Sequence, residues 1–426
     1  MTKIKPFKAV IYNQEKIKDL SSVICPPYDV ISPAGQQHFH EKSPYNFIHI
    51  LLGKDMPGEN KYQRSGNYFK EWLKNQILIQ EESPAIYFYS QQYNIQREKK
   101  TRLGFISLLH LGEKNSNIFR HEHTRLEPKE DRLCLLKQVK ANLSPILMIF
   151  LDNQRIIQRT YQYQISDKKP FIEVVDDEKT LHRLWRVDSP EIVAKIQNSV
   201  SDENIFIADG HHRYEVACAY RDQIMEKLGG RIMGEENFNY IMAYFTNTDP
   251  RGLSILPIHR LLKSDSASKT TKLLTALAEY FDVEEIKDKT KFFFLMEKGG
   301  RTEHLLGMYK DKRYFLLRLK NVRILDKMLN DKPKDYRSLD VCILNSIVFD
   351  KILGVNFENK ENLEFSPHAN EFIDRADKDP LYIAFFLNPV KIQQIMSVAL
   401  NQERMPAKST YFYPKVLSGL VINKLD

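Results

Sequence analysis

The segment Glu203–Gly230, ENIFIADGHHRYEVACAYRDQIMEKLGG, limits the fold more than any other stretch of the chain. Its Ile205-Phe206-Ile207-Ala208 is a short, partly β-branched apolar run, which predicts a buried strand. Asp209-Gly210 breaks that run, because glycine reaches backbone angles that other residues resist. From His211 the period changes. Ala217, Tyr220, Ile224 and Leu228 recur at three- and four-residue steps, the stripe of an amphipathic helix, and Gly229-Gly230 marks its end. The unit predicted is therefore strand, tight turn, helix, with Asp-Gly-His-His-Arg at the joint.

That joint has the chemistry of an anion site. The first N–H groups of a helix lack internal partners and lie at the positive end of its dipole. Arg213 adds a planar fork of donors suited to phosphate or carboxylate. Gly210, His212 and Arg213 are the expected phosphate-binding residues, with Asp209 as a candidate base or Mg²⁺ ligand and His211 beside it. The bland alternative makes Asp209 a helix cap and the histidines polar surface.

The block RHEHTRLEPKEDRLCLLKQVKANLSPI is the other chemically dense stretch. On a strand, His121 and His123 would share one face, which suits a metal, but no third or fourth ligand is identifiable. Glu122 and Thr124 read better as polar groups lining a pocket, with Glu122 the second candidate for the base. Arg132 stands on the helix expected next, less easily read as solvated than its neighbour Lys137. Pro26-Pro27-Tyr28-Asp29 forms a stiff turn before a helix over 33–41, presenting Tyr28 and Asp29. Lys408-Ser409-Thr410 lacks the glycines of a phosphate-binding P-loop. Lys408 and Lys415 are candidates to reach back to the first domain's pocket, with a structural tail the alternative.

ADGHHRYE (Ala208–Glu215) resembles the signature of a prokaryotic family known as domain of unknown function 1015. PPYDVIS (Pro26–Ser32), the stretch from His121 to Ile146, LPIHRLL (Leu256–Leu262) and MPAKSTYFYPKVLSGLV (Met405–Val421) resemble further blocks of that family, in the same order. In the family the second histidine of the H-E-x-T stretch varies, which speaks against a metal at His123. The DGHHR joint also resembles ParB/sulfiredoxin-like folds, among them kinases that phosphorylate free serine. That resemblance implies an α/β (α+β) fold: a ParB/sulfiredoxin-like mixed-sheet core with an α+β accessory C-terminal domain. It also implies ATP or ADP as cofactor, Mg²⁺ at Asp209, and a hydroxyl acceptor such as free serine.

Expected boundaries are 1–264 for the core, 265–400 for the accessory domain and 401–426 for a C-terminal segment, with the break at the polar run Ser264–Lys269. Beyond that break a helix is expected over 271–280, then strands over 291–296, 303–309 and 314–319. His259-Arg260 reads as a second anion contact or the start of a surface helix. The chain's 426 residues carry a net charge of +8, but the basic residues are dispersed, and neither a helix-turn-helix nor a basic recognition helix is visible. A phosphorylated small molecule or nucleotide is the expected partner, rather than nucleic acid or membrane. Four scattered cysteines without a C-x-x-C pair, and an N-terminus without the apolar core of a signal peptide, predict a cytoplasmic protein. The preferred function is a nucleotide-dependent small-molecule kinase. Its rivals are a ParB-like nucleotide- or nucleic-acid-binding protein without catalysis and a metal-dependent hydrolase using His121, His123, His211 and Asp209.

Overall fold

A computed structural model describes residues 1–95, 98–112, 117–124, 126–229, 234–264, 270–355 and 362–425, without the side chains at 270 and 271. The chain divides into two units: residues 1–120, 124–254 and 414–426, and residues 121–123 with 255–413. Both mix helices and strands, so the fold is α+β with a large mixed sheet. Residues 265–269 of the expected break Ser264–Lys269, and Gly230, lie outside the described residues.

The first unit is built on a nine-stranded sheet. Along it run Ile118–Phe119, Ile205–Asp209, Ile146–Phe150, Tyr240–Asn247, Glu98–His110, Ile86–Ile95, Leu181–Val187 and Ile172–Val175, with Ile4–Lys5 also pairing to Glu98–His110. Ile205–Asp209 runs parallel to Ile118–Phe119 but antiparallel to Ile146–Phe150, which is itself parallel to Tyr240–Asn247. The central strands are near-continuous apolar runs because both their faces are covered: Ile146–Phe150 is buried at every position. One face packs Ile205, Ile207, Phe245 and Met148 against Tyr214 and Ala217 of the helix His211–Lys227.

A second core gathers Phe47, Phe69, Trp72, Leu135 and Val139 around the short strand pair Val10–Tyr12 and Leu78–Gln80. The last residues of the chain close this part. Val10 bridges Ile422, Cys25 bridges Ser418, and Asn423–Lys424 pairs with Ala141–Asn142.

The second unit carries a six-stranded, wholly antiparallel sheet in the order Phe281–Ile286, Arg313–Leu319, Leu305–Lys310, Tyr382–Phe386, His259–Lys263, Leu363–Ser366. Helices Lys289–Gly299 and Ala369–Lys378 cover it through Phe292, Met296, Phe372 and Ile373. The strand expected over 291–296 is instead part of the first of these helices. Asp288 caps it by accepting from the Lys291 N–H at 2.6 Å, and the buried pair Phe292 and Met296 is four residues apart, a helical spacing that the aromatic run masks. His259-Arg260 starts neither a surface helix nor an exposed anion contact. Both residues lie in a central strand, and the Arg260 guanidinium is fully buried, donating to the carbonyls of Ile258 and Lys408.

Arg102 ties the C-terminal segment to the first unit's sheet. This arginine, 1% exposed, donates from Nε to Gln91 Oε1 at 3.0 Å and from Nη2 to the Pro414 carbonyl at 2.5 Å, while Gln91 donates to the Lys415 carbonyl at 2.9 Å. Arg102→Leu keeps the apolar contacts but strands a buried amide oxygen and a carbonyl. It is expected to lower unfolding stability by about 2–4 kcal/mol in urea titrations. Amide exchange over 415–424 should accelerate more than exchange in Ile146–Phe150.

Candidate functional site

Strand Ile205–Asp209 ends in a register shift. Ile207 pairs with Met148, but Asp209, two residues on, pairs with the adjacent Leu147. Strict alternation would send Asp209 into the same core as Ile205 and Ile207, and the bulge re-aims it. Gly210 then turns the chain with φ +95°. A Cβ there would lie 2.7 Å from Ile146 Cγ2 and 3.0 Å from Arg213 Nη2, so the turn needs glycine both for its backbone angle and for room. Helix His211–Lys227 begins at the next residue. Its buried side is Tyr214, Val216, Ala217 and Tyr220, whereas Leu228, expected on the stripe, is half-exposed at the helix end. Gly229, with φ +62°, follows as the stop.

Asp209 sits between two cations. Arg213 Nη2 donates to Oδ2 at 2.9 Å, and Lys415 Nζ donates to Oδ1 at 2.5 Å. All three side chains are largely buried, at 17%, 13% and 11% exposure for Asp209, Arg213 and Lys415. Burial pushes the Asp209 carboxyl up. Lys415 and Arg213, with His211 adding to them, outweigh it and hold the group well below the usual carboxylate range. Arg213 also donates from Nη1 to the Pro145 carbonyl at 2.8 Å, which fixes its fork.

Beside this group opens a pocket of about 510 Å³ counting its mouth, floored by Leu135, Leu136, Leu143 and Val216 and edged by Tyr28, Arg132, Ser144 and Arg213. The stiff Pro26–Ser32 turn thus brings Tyr28 to the joint. Its ring lies 4.3 Å below the Arg132 guanidinium, and burial raises its phenol far above the ordinary value. Arg132 is anchored rather than solvated: Nη1 donates to the Leu51 carbonyl at 2.7 Å, and the guanidinium pairs with Asp131. Burial raises the Asp131 carboxyl, and Arg132 more than reverses the shift.

The remaining candidates distribute differently. His211 is buried at the start of the helix and His212 half-buried beside it. Thr124 donates to Glu215 Oε2 at 2.6 Å, where Arg120 and Lys129 also converge, one turn along the same helix from His211. Glu122 belongs to the second unit. There its Oε1 accepts from the Lys408 N–H at 3.0 Å, and His121 Nε2 meets Thr410 Oγ1 at 3.2 Å. Lys408 likewise lies in the second unit. Among the described residues, no three His, Cys, Asp or Glu side chains are grouped so as to hold a metal ion. Lys415 stands 206 residues from Asp209, and no local spacing in the sequence announces their pairing.

Because folding depresses the Asp209 pKa, its contribution to stability is present above the unfolded value of about 4 and is lost as pH falls towards the folded value. Asp209→Asn should destabilise the protein by about 2–4 kcal/mol at pH 7, since it leaves two cations facing each other. The gap between wild type and variant should narrow below about pH 4 in denaturation curves.

Comparison with curated proteins finds no match. Among solved structures, a mutant free serine kinase in complex with ADP is similar at 11% identity and a TM-score of 0.35, over 72% of this chain and 87% of that one. SbnI with a C-terminal truncation, from Staphylococcus aureus, gives 11% identity and a TM-score of 0.37 over 74% and 85%. A conserved hypothetical protein from Pyrococcus furiosus gives 13% and 0.35 over 73% and 92%. No helix among the described residues is long and apolar enough to cross a membrane. The model of the family described as protein of unknown function (DUF1015) matches residues 4–342, and the chain belongs to that family.

Proposed function

We propose that the first unit binds a nucleotide, ATP or ADP, and transfers its terminal phosphoryl group to the hydroxyl of a small metabolite such as free serine. The observation that carries this reading is the Lys415–Asp209–Arg213 row beside the apolar pocket edged by Tyr28 and Arg132. One carboxylate between two cations leaves a surplus positive charge at the turn entering a helix, the electrostatics that phosphate oxygens require. The leucine-lined floor and the Tyr28 ring suit contact with the flat face of a nucleotide's base.

Phosphoryl transfer asks little covalent chemistry of a protein; it needs positioned phosphates, neutralised charge and an acceptor in line. In the proposed reaction the acceptor oxygen bonds to the terminal phosphorus as the bond to the nucleotide's bridging oxygen breaks, and the acceptor's proton passes to a base. Asp209 suits that last task poorly, because a carboxylate held so far below its usual range is a weak base and accepts a proton reluctantly. We assign it to positioning: it orients the Arg213 fork and the Lys415 ammonium towards the phosphates. His211, next to it at the helix start, is then the candidate base. Mg²⁺ would supply charge neutralisation when it accompanies a nucleotide, but at Asp209 it would have to compete with Arg213 and Lys415, which already donate to both carboxylate oxygens.

Isothermal titration with ATP and ADP tests the reading, with binding expected in the millimolar range or tighter. Lys415→Gln should weaken it by about 1.5–3 kcal/mol, the worth of a charge-assisted hydrogen bond. With substrate in hand, Asp209→Asn should lower kcat while leaving the limbs of the pH–rate profile in place, whereas His211→Gln should remove the limb belonging to the base. Absence of nucleotide binding to the folded wild-type protein would refute the proposal.

A further inference from the structure

The second unit contains a polar cavity that the proposed reaction does not use. The start of strand Leu305–Lys310 and the end of strand Tyr382–Phe386 lie side by side in the antiparallel sheet. The residues flanking them, with those entering the helices Asp340–Ile343 and Ile392–Leu400, enclose about 670 Å³ counting the mouth. Arg301, Glu303, His304, Asp340, Lys391 and Gln394 are among its polar lining residues.

Within it, Asp340 backs His304. The two meet at 3.0 Å through His304 Nδ1, and Asp340 is only 18% exposed at its side chain. An ionised carboxylate can only accept, so Nδ1 carries the proton and Nε2 is the nitrogen presented away from the pair. Among the described residues Nε2 has no hydrogen-bond partner. Lys391 donates to the Arg301 carbonyl at 3.0 Å, and its charge also favours the ionised form of Asp340. The wall is tightly built: Asn388 donates to the Leu305 carbonyl at 3.0 Å, and a Cβ on Gly300 would fall 2.3 Å from the Asn388 amide. Lys391 also opens the helix Ile392–Leu400, where its own N–H donates to Gln394 Oε1 at 2.9 Å, so the positive end of that helix dipole adds to the cations.

A fixed imidazole, an ammonium hydrogen-bonded to a backbone carbonyl, and a helix start around one cavity, with Glu303 committed to Arg318 at 2.6 Å, favour a ligand of negative charge. The geometry points to a binding site for the oxyanion group, carboxylate or phosphate, of a small metabolite, held by His304 Nε2 and Lys391 Nζ. An anion would be held by the imidazolium form, whose Nε2–H donates while Nδ1–H donates to Asp340 behind the ring and fixes its orientation. The site lies wholly within the second unit and does not depend on the nucleotide reading of the first.

The test uses the full chain labelled with ¹⁵N, titrated separately with inorganic phosphate and with citrate while the His304 ring nitrogens are followed by long-range ¹H–¹⁵N spectra. A saturable shift of Nε2 at millimolar anion is expected, with apparent affinity lowered about tenfold or more in Lys391→Gln. Preference for citrate over phosphate would identify a carboxylate metabolite, and the reverse order a phosphorylated one. Arg213→Ala, in the first unit, should leave the His304 titration unchanged, which separates this site from any phosphate bound at Asp209. His304→Gln, followed by calorimetry, should lose the same binding. If that variant does not fold, Lys391→Gln, altering a side chain at the cavity mouth, still decides the matter. No shift of Nε2 with either anion, or a shift untouched by Lys391→Gln, would overturn the inference.

Discussion

The ionic row Lys415–Asp209–Arg213 is the interaction on which the first unit's arrangement turns. Three parts of the chain meet there: a central strand, the helix that follows it and the segment 414–426. Each member is largely withdrawn from water, so none could remain charged there alone at acceptable cost. The bulge before Asp209 and the left-handed glycine after it are the backbone's contribution, since together they take the carboxylate out of the apolar core and start the helix within one residue. Arg102 and Gln91 then hold the backbone on either side of Lys415, through the Pro414 and Lys415 carbonyls.

A similar device serves the second unit with different parts. Arg260 is buried in a central strand and donates its hydrogen bonds to backbone carbonyls instead of to a carboxylate. Burial lowers its pKa to about 9, with Glu122 opposing that shift, so the guanidinium is still charged at neutral pH. It joins the strand to the loop at Lys408, whose N–H is in turn held by Glu122. Residues that read in sequence as ligands for an anion or a metal here fasten the second unit's own chain segments.

Much of the fold could be read from periodicity. The strand–Asp-Gly–helix unit, the helix after Ser32, with Ser32 Oγ capping the Gly35 N–H at 3.1 Å, and the strand Tyr240–Asn247 follow directly from residue pattern and turn chemistry. The helix Lys289–Gly299 did not, because KFFFLM has the composition of a strand and only its cap and its two buried positions betray the helix. Phe281–Ile286 escaped notice for the opposite reason: Asp282, Glu284 and Glu285 make an edge strand look like a loop. At the site, Asp209, Gly210 and Arg213 are neighbours in sequence and were legible as a group. Tyr28, Arg132 and Lys415 come from distant segments, and their convergence is a property of sheet topology that no local spacing encodes.

The interrupted layout of the first unit carries a consequence for its synthesis. Residues 255–413 form nearly all of the other unit, so a ribosome must make the whole of that unit before it reaches the stretch that supplies Lys415. Throughout that interval Lys415 is not yet there to pair with Asp209, nor are the strand partners of Val10, Cys25 and Ala141–Asn142. Such late, long-range closure is slow because the chain entropy is lost before the contacts form. The second unit, whose strands are nearly all drawn from one continuous stretch, is free to assemble meanwhile. The charge row would then be among the last native contacts to form, and an unfinished chain would expose an incomplete version of it to the cell's quality control.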